Sequence, residues 1–222
     1  MIVTLSRQLG SHGDAIAARV AAALNLTLAD RAYVYADALA AGVPDDLLHR
    51  LMYEGERTLA GHILDTLTGR PADRAGSVQQ PAHPLSGIFA PMLPPSSITQ
   101  EEGVHTISLV LKDLASRDYV LVLGQGGQAV LRDYPAGCHV LIVAPFDLRV
   151  QRIAEREKLS LTAARRRVRA NEAARSDYLA RYHGINWLEP FHYHLVINTG
   201  QTPVDAAVSL IIHAAQAMGR GA

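Results

Sequence analysis

Ser6-Arg7-Gln8-Leu9-Gly10-Ser11-His12-Gly13-Asp14-Ala15-Ile16-Ala17 follows directly on an apolar run from Ile2 to Leu5 and opens into a helical pattern from Ala15 to Leu24. Read as strand, turn and helix, this stretch decides the fold class. Small residues at the turn let backbone N–H groups and the helix N-terminus surround an anion, which is the physical basis of a phosphate-binding loop. The strict motif GxxxxGK[ST] is absent. Aligned by its context, Gly10-Ser11-His12-Gly13 falls where Gly-Ser-Gly-Lys would sit, which puts Gly13 at the lysine position and Asp14 at the magnesium-binding hydroxyl position. The spacing alone also suits an ordinary glycine-containing turn.

Working outward, short Val-, Ile- and Leu-rich runs recur at Tyr119 to Leu123, His139 to Ala144 and Tyr193 to Ile197, with a weaker one at Leu26 to Ala29. Near-continuous apolarity of this kind belongs to strands buried on both faces. Helical patterns separate them, from about Ile98 to Ala115, Phe146 to Lys158, Ser160 to Tyr182 and Val204 to Met218. The alternation predicts an α/β fold, a parallel five-stranded sheet with helices on both faces. Thr202-Pro203-Val204-Asp205 gives the last helix an N-cap, a proline at its first position and an acid at its third.

Three further regions are set on this sheet. Helices at about Asp45 to Tyr53 and Glu56 to Leu67 predict a helical subdomain over 31–69 on one edge of the sheet. Residues 70–97 hold six of the 11 prolines and can be neither a core helix nor a central strand. A segment of that length is a solvated loop, a flap near a site, or an arm gripping a second copy of the chain, and the last of these is the source of an expected homo-oligomer. Residues 149–182 form an arginine-rich lid, in which nine arginines and Lys158 face four acids.

Composition narrows the function. The 222 residues are 49% hydrophobic and 19% charged, with 21 basic side chains balancing 21 acidic ones, which argues against a polybasic nucleic-acid or membrane binder. Cys138 stands alone, which excludes an internal disulfide framework and a cysteine-rich zinc site. The apolar start is too short for a signal peptide or membrane span, so the expected location is cytoplasmic. Only Lys112 and Lys158 are lysines, so phosphate chemistry here must use arginine or backbone.

Ser-Arg-Gln-x-Gly-Ser-x-Gly-x-x-Ile-Ala after the first strand resembles the opening of the cytidylate kinase-like family, a branch of the P-loop nucleoside monophosphate kinases whose loop also lacks the usual lysine. The resemblance continues at Asp30-Arg31, at Val120-Leu-Val-Leu-Gly124-Gln-Gly-Gly127, and at His139-Val-Leu-Ile-Val-Ala-Pro145 with Arg149 and Arg152-Ile153. It extends through Glu172-x-x-Arg175-x-x-Tyr178 to Leu195-Val-Ile-Asn198-Thr199. It implies phosphoryl transfer from ATP, with Mg²⁺, to a pyrimidine nucleoside monophosphate. The donor phosphates would lie on Gly10, Ser11, His12 and Gly13, and the acceptor near Asp30, Arg31, Gly124 and Gln125. Arg7, Arg169 and Arg175 would be the catalytic cations, the last two closing from the lid, with Arg175 a solvent-facing helix residue. No side chain is assigned to a metal.

The chain departs from the family pattern at three positions. Gln125 stands where arginine is usual, His194 where aspartate tends to occur, and Asp14 where a basic residue is common. A carboxylate ~5 Å from one phosphate charge opposes binding by on the order of 3 kcal/mol at an effective dielectric of ~20. These departures keep a second function class open: a catalytically degenerate nucleotide- or phosphate-binding module acting through a partner. Other chemistries fit less well. No GxSxG elbow is present for a hydrolase, and Gly124-Gln-Gly126-Gly127 carries at best a weak variant of the dinucleotide fingerprint. His183, His192 and His194 suggest a metal through the shared strand face of the last two, yet only Glu189 lies near in sequence to complete such a set.

Overall fold

The structure, a computed structural model, describes residues 1–53, 99–117 and 119–219. The expected helix at 56–67 and the proline-rich stretch 70–97 lie outside the described residues. In chain order the elements are β1 (Ile2–Arg7), α1 (Gly13–Leu24), β2 (Thr27–Ala29), α2 (Arg31–Ala40), α3 (Asp45–Tyr53) and α4 (Gln100–Ser116), then β3 (Val120–Leu123), α5 (Gly127–Val130) and β4 (Gly137–Val143). They end with α6 (Phe146–Glu157), α7 (Leu161–His183), a 3₁₀ turn (Pro190–His192), β5 (Leu195–Asn198) and α8 (Val204–Gly219).

The five strands are all parallel in the order β2-β3-β1-β4-β5. Alternation along the strands feeds two cores. Ile2, Val120 and Val122 face α2, α3 and α4, while Val3, Leu5, Leu121, Leu123, Val140 and Ile142 face α1 and α8. Helices on both faces of a parallel sheet are what continuous apolar strands require, so the predicted fold class stands.

Boundaries moved by a few residues for local reasons. α1 begins at Gly13 because His12 takes a left-handed conformation as its N-cap. α4 begins at Gln100, where Thr99 and Glu102 form a reciprocal capping box. The last strand starts at Leu195, since the chain before it is a 3₁₀ turn. His192 therefore belongs to that turn and does not share a strand face with His194. Two helices went unforeseen as elements: α2, capped by Asp30 through Tyr33 N–H at 2.9 Å, and the single turn of α5. No helix among the described residues is long and apolar enough to cross a membrane.

β1 lies between β3 and β4; the chain leaves it through α1 towards β2 on one side and later crosses from β3 past it to β4 on the other. In open parallel sheets the crevice beyond the carboxyl ends of such central strands is where ligands bind. Each strand delivers a residue there: Arg7 from β1, Asp30 after β2, Gly124 after β3, Ala144 after β4 and Thr199 after β5.

Candidate functional site

The loop between β1 and α1 is held from behind by a hydrogen-bonded frame. Gln8 is its first bolt, accepting from Ala144 N–H at 3.1 Å and donating to Glu172 Oε1 at 3.0 Å. Arg149, 3% exposed, is the second. Its Nε donates to the Ala144 carbonyl at 2.9 Å and its Nη2 pairs with Glu172 at 2.8 Å. Arg152 donates to the carbonyls of Gly10 and Thr199, and the Thr199 hydroxyl donates to the Ser11 carbonyl at 2.8 Å. The Ser11 hydroxyl and its backbone N–H both turn inward onto the Gln8 carbonyl, at 2.7 and 3.1 Å, so Ser11 shapes the loop from within. Gly10, at φ +83°, packs on Arg149, whose carbonyl would lie 2.8 Å from an added Cβ.

The front of the loop is built differently. No side chain caps the N-terminus of α1, so its positive end faces outward. His12 sits beside Arg152 and Arg156, and burial first, then those two charges, lower its pKa. Arg7 folds across Gly13, and its Nε and Nη2 both reach Asp14 Oδ1, at 3.0 and 2.9 Å. The sequence expectation that Asp14 opposes a phosphate is therefore modified, because in the ligand-free molecule it neutralises Arg7. Asp14 is 56% exposed, so the pair is weak and readily exchanged.

Two cavities meet beside Arg7. The first, about 390 Å³, is lined by Gly124, Gln125, Gly126, Gln128, Leu51 and the α7 stripe Asn171, Arg175, Tyr178 and Tyr182, among others. The second, about 440 Å³, is lined on the loop side by Leu9, Asp14, Asp30, Arg156 and Arg167. Arg7, Arg31, Asn171 and Arg175 line both, forming the wall between them. Arg175 is drawn in from solvent with its guanidinium over the Trp187 ring at 5.2 Å, contrary to its expected solvent-facing position. Burial first, and then Arg7 and Arg31, depress its pKa to about 9. Crowding like charges in a drawn-in site has a chemical meaning: the cluster gains most from a polyanion.

Most of the sequence candidates come together here, but not as one set. Gly124 and Gln125 line the first cavity, Asp30 the second, and Arg31 both. Gln125 is held at φ +53° between two left-handed glycines, Gly124 and Gly126, a conformation a side chain adopts only under local constraint. Arg169 does not join them. Its guanidinium lies over the Phe146 ring at 5.5 Å, beside those of Arg149 and Arg165. The reason is helical phase: positions 171, 175, 178 and 182 form one stripe, and 169 lies about 120° away from 175.

Sequence reasoning missed the frame partners Gln8 and Thr199, the stacking partner Trp187 and the cleft-lining Gln128. Gln128 is 1% exposed and accepts from the Ser6 hydroxyl at 2.9 Å. The α7 stripe was readable from its spacing of four, three and four. The histidines do not converge: His183 lies against Gly126, while His194 stacks on His139 at 5.1 Å and accepts from its N–H. Among the described residues no group of three or more His, Cys, Asp or Glu could hold a metal.

A model of the cytidylate kinase-like family matches residues 2–201. A cytidylate kinase of Methanothermobacter thermautotrophicus is 35% identical over 72 residues, 32% of this chain and 45% of that protein. One from Aeropyrum pernix is 32% identical over 107 residues, 48% of this chain and 62% of the relative. The chain thus matches between 45% and 62% of the length of these relatives. Among solved structures, an uncharacterized protein from Eubacterium ventriosum shares the fold, with a TM-score of 0.63 at 16% identity over 97% of this chain and 98% of that one.

Proposed function

The chain belongs to the cytidylate kinase-like family, and from that premise we propose that it moves a phosphoryl group from ATP to a nucleoside monophosphate, with a pyrimidine as the base. The observation that carries this reading is the shared wall, in which Arg7, Arg31, Asn171 and Arg175 border both cavities. Phosphoryl transfer requires two phosphate-bearing molecules aligned end to end across a cationic centre, with little covalent work for the protein. On this reading the acceptor occupies the cavity of Gly124, Gln125, Tyr178 and Tyr182. The donor phosphates lie against the Gly10 to Gly13 backbone and the cavity of Asp14 and Asp30. Arg7 and Arg175 then face the phosphoryl group in transit, where guanidinium forks match equatorial oxygens. Asp30 caps α2 and so sets the position of Arg31.

Magnesium binds through one or two carboxylates together with substrate phosphates, and when bound it neutralises charge on the transferring group. Asp14 and Asp30, the acids lining the loop-side cavity, fit that requirement. One observation favours the rival reading of a phosphate-binding module without turnover: Asp14, standing where the family commonly has a basic residue, engages Arg7. A coupled assay of ATP, Mg²⁺ and a panel of nucleoside monophosphates decides between them. Turnover with CMP or UMP is expected; nucleotide binding without turnover of any acceptor would establish the module instead.

A further inference from the structure

Gly13 has no backbone reason to be glycine. Its φ lies outside the left-handed region, and at the start of a helix alanine would be favoured by up to about 1 kcal/mol. The reason is steric. A Cβ at Gly13 would stand 2.3 Å from Arg7 Cβ and 2.6 Å from Arg7 Cγ. Those atoms are the root of the arginine side chain, which cannot step aside without moving the whole group. On the opposite flank, a Cβ at Gly124 would stand 2.6 Å from Arg7 Nη1. Two glycines thus form a slot, through which Arg7 runs from the end of β1 over the first residue of α1. The volume in which a lysine at position 13 would begin is filled by the Arg7 stem. Neither lysine of the chain, Lys112 or Lys158, lines either cavity.

We propose that the Arg7 guanidinium takes the place of the missing phosphate-loop lysine, reaching the ligand's phosphates from the strand through the slot that Gly13 leaves open, with Asp14 as its counter-ion until they arrive. The inference rests on the kinase reading for its nucleotide but not for its phosphate. Arg7 presents a planar fork where a lysine presents a point charge. Its ion pair with Asp14 is exposed enough to exchange for phosphate oxygens.

The test is calorimetric titration with ATP and, separately, inorganic tripolyphosphate, on the wild type, Arg7→Ala, Arg7→Gly and the double variant R7G/G13K, with circular dichroism and melting on each. Arg7→Ala and Arg7→Gly are each expected to weaken tripolyphosphate at least thirtyfold, and wild-type circular dichroism in Arg7→Ala separates a lost ligand group from a damaged fold. R7G/G13K should recover at least tenfold over Arg7→Gly, because glycine at position 7 removes the Cβ as well as the stem that a lysine Cβ at 13 would meet. Arg7→Ala binding within threefold of the wild type would overturn the proposal, as would a folded double variant no better than Arg7→Gly. Tripolyphosphate binding that depends on Arg7, without binding of any nucleotide, would support the proposal and remove the kinase reading. ATP binding indifferent to Arg7 would do the reverse, and binding of neither ligand by the wild type would overturn both.

Discussion

The two sides of the β1–α1 loop use the same side chain for opposite ends. Behind the loop, Arg149 and Arg152 are consumed by carbonyls and by Glu172, so their charge serves the chain's own shape. In front, Arg7 and Arg175 share one wall with Arg31, and the pKa of Arg175 is depressed partly by the other two. A guanidinium spent on buried carbonyls and a drawn-in acid is architecture, and one crowded by its own kind, or held only by an exposed acid as Arg7 is by Asp14, is a ligand group. Counting arginines from the sequence cannot separate the two; the position of the acids can.

The comparison can be broken most directly at Arg149. Arg149→Ala strands Glu172 and two carbonyls, and should lower unfolding free energy by about 3 kcal/mol or slightly more, with Glu172's partial exposure limiting the loss. Urea denaturation reads this, and a loss under about 1 kcal/mol would show that the back of the loop is not structural.

A pH titration separates both sides from the scaffold behind them. His139 is buried in β4 with its Nδ1 2.8 Å from the Thr4 hydroxyl, and burial, then His194, lowers its pKa to about 4. The folded state therefore binds fewer protons than the unfolded one between pH 6.5 and 4. Stability is full above that window and declines as pH falls through it, by on the order of 3 kcal/mol. Denaturant midpoints at pH 7 and pH 4.5 should differ accordingly, and His139→Gln should flatten the dependence.

In front of the loop, Arg175→Ala should cost turnover about a hundredfold, near 2.7 kcal/mol of transition-state stabilisation. The melting temperature should hold or rise, because the change removes one of several crowded charges. A variant that melts far lower with unchanged specific activity would move Arg175 to the architectural group. The smallest effect is expected at Asp14. With magnesium absent, Asp14→Asn frees Arg7 and should tighten phosphate binding about fivefold while altering stability by less than about 0.5 kcal/mol. With magnesium present the gain should shrink or reverse, since the same substitution removes a carboxylate that fits the ion; weaker binding in the metal-free titration would mean that Asp14 does not compete with phosphate for Arg7.

Much of the fold was legible because parallel strands and long helices write their periods plainly, and even the three residues of β2 left a trace at Leu26 to Ala29. The anion loop was legible from its small residues. The division of labour among the arginines was not, since Arg169 and Arg175 look alike in sequence and differ only in helical phase. Nor could spacing reveal that Arg7 and Gly13 share one volume, because that depends on where a strand ends relative to the helix it feeds. Gln125 illustrates another limit: its left-handed backbone is imposed by flanking glycines and the end of β3, which no propensity reports.

One helix, α7, runs 23 residues from Leu161 to His183, and Glu172 stands at its midpoint. Through Arg149 and Gln8 that residue is fastened to the phosphate loop, which makes it a fulcrum. From it each arm extends about 16 Å at 1.5 Å per residue, one towards the α6–α7 turn and the other past Arg175 to the cleft floor. Along the axis Arg175 lies only about 4.5 Å from that point, Tyr178 about 9 Å and Tyr182 about 15 Å. A given tilt about Glu172 would therefore carry Tyr182 roughly three times as far as Arg175, so the cation stands where the helix is least able to re-aim it.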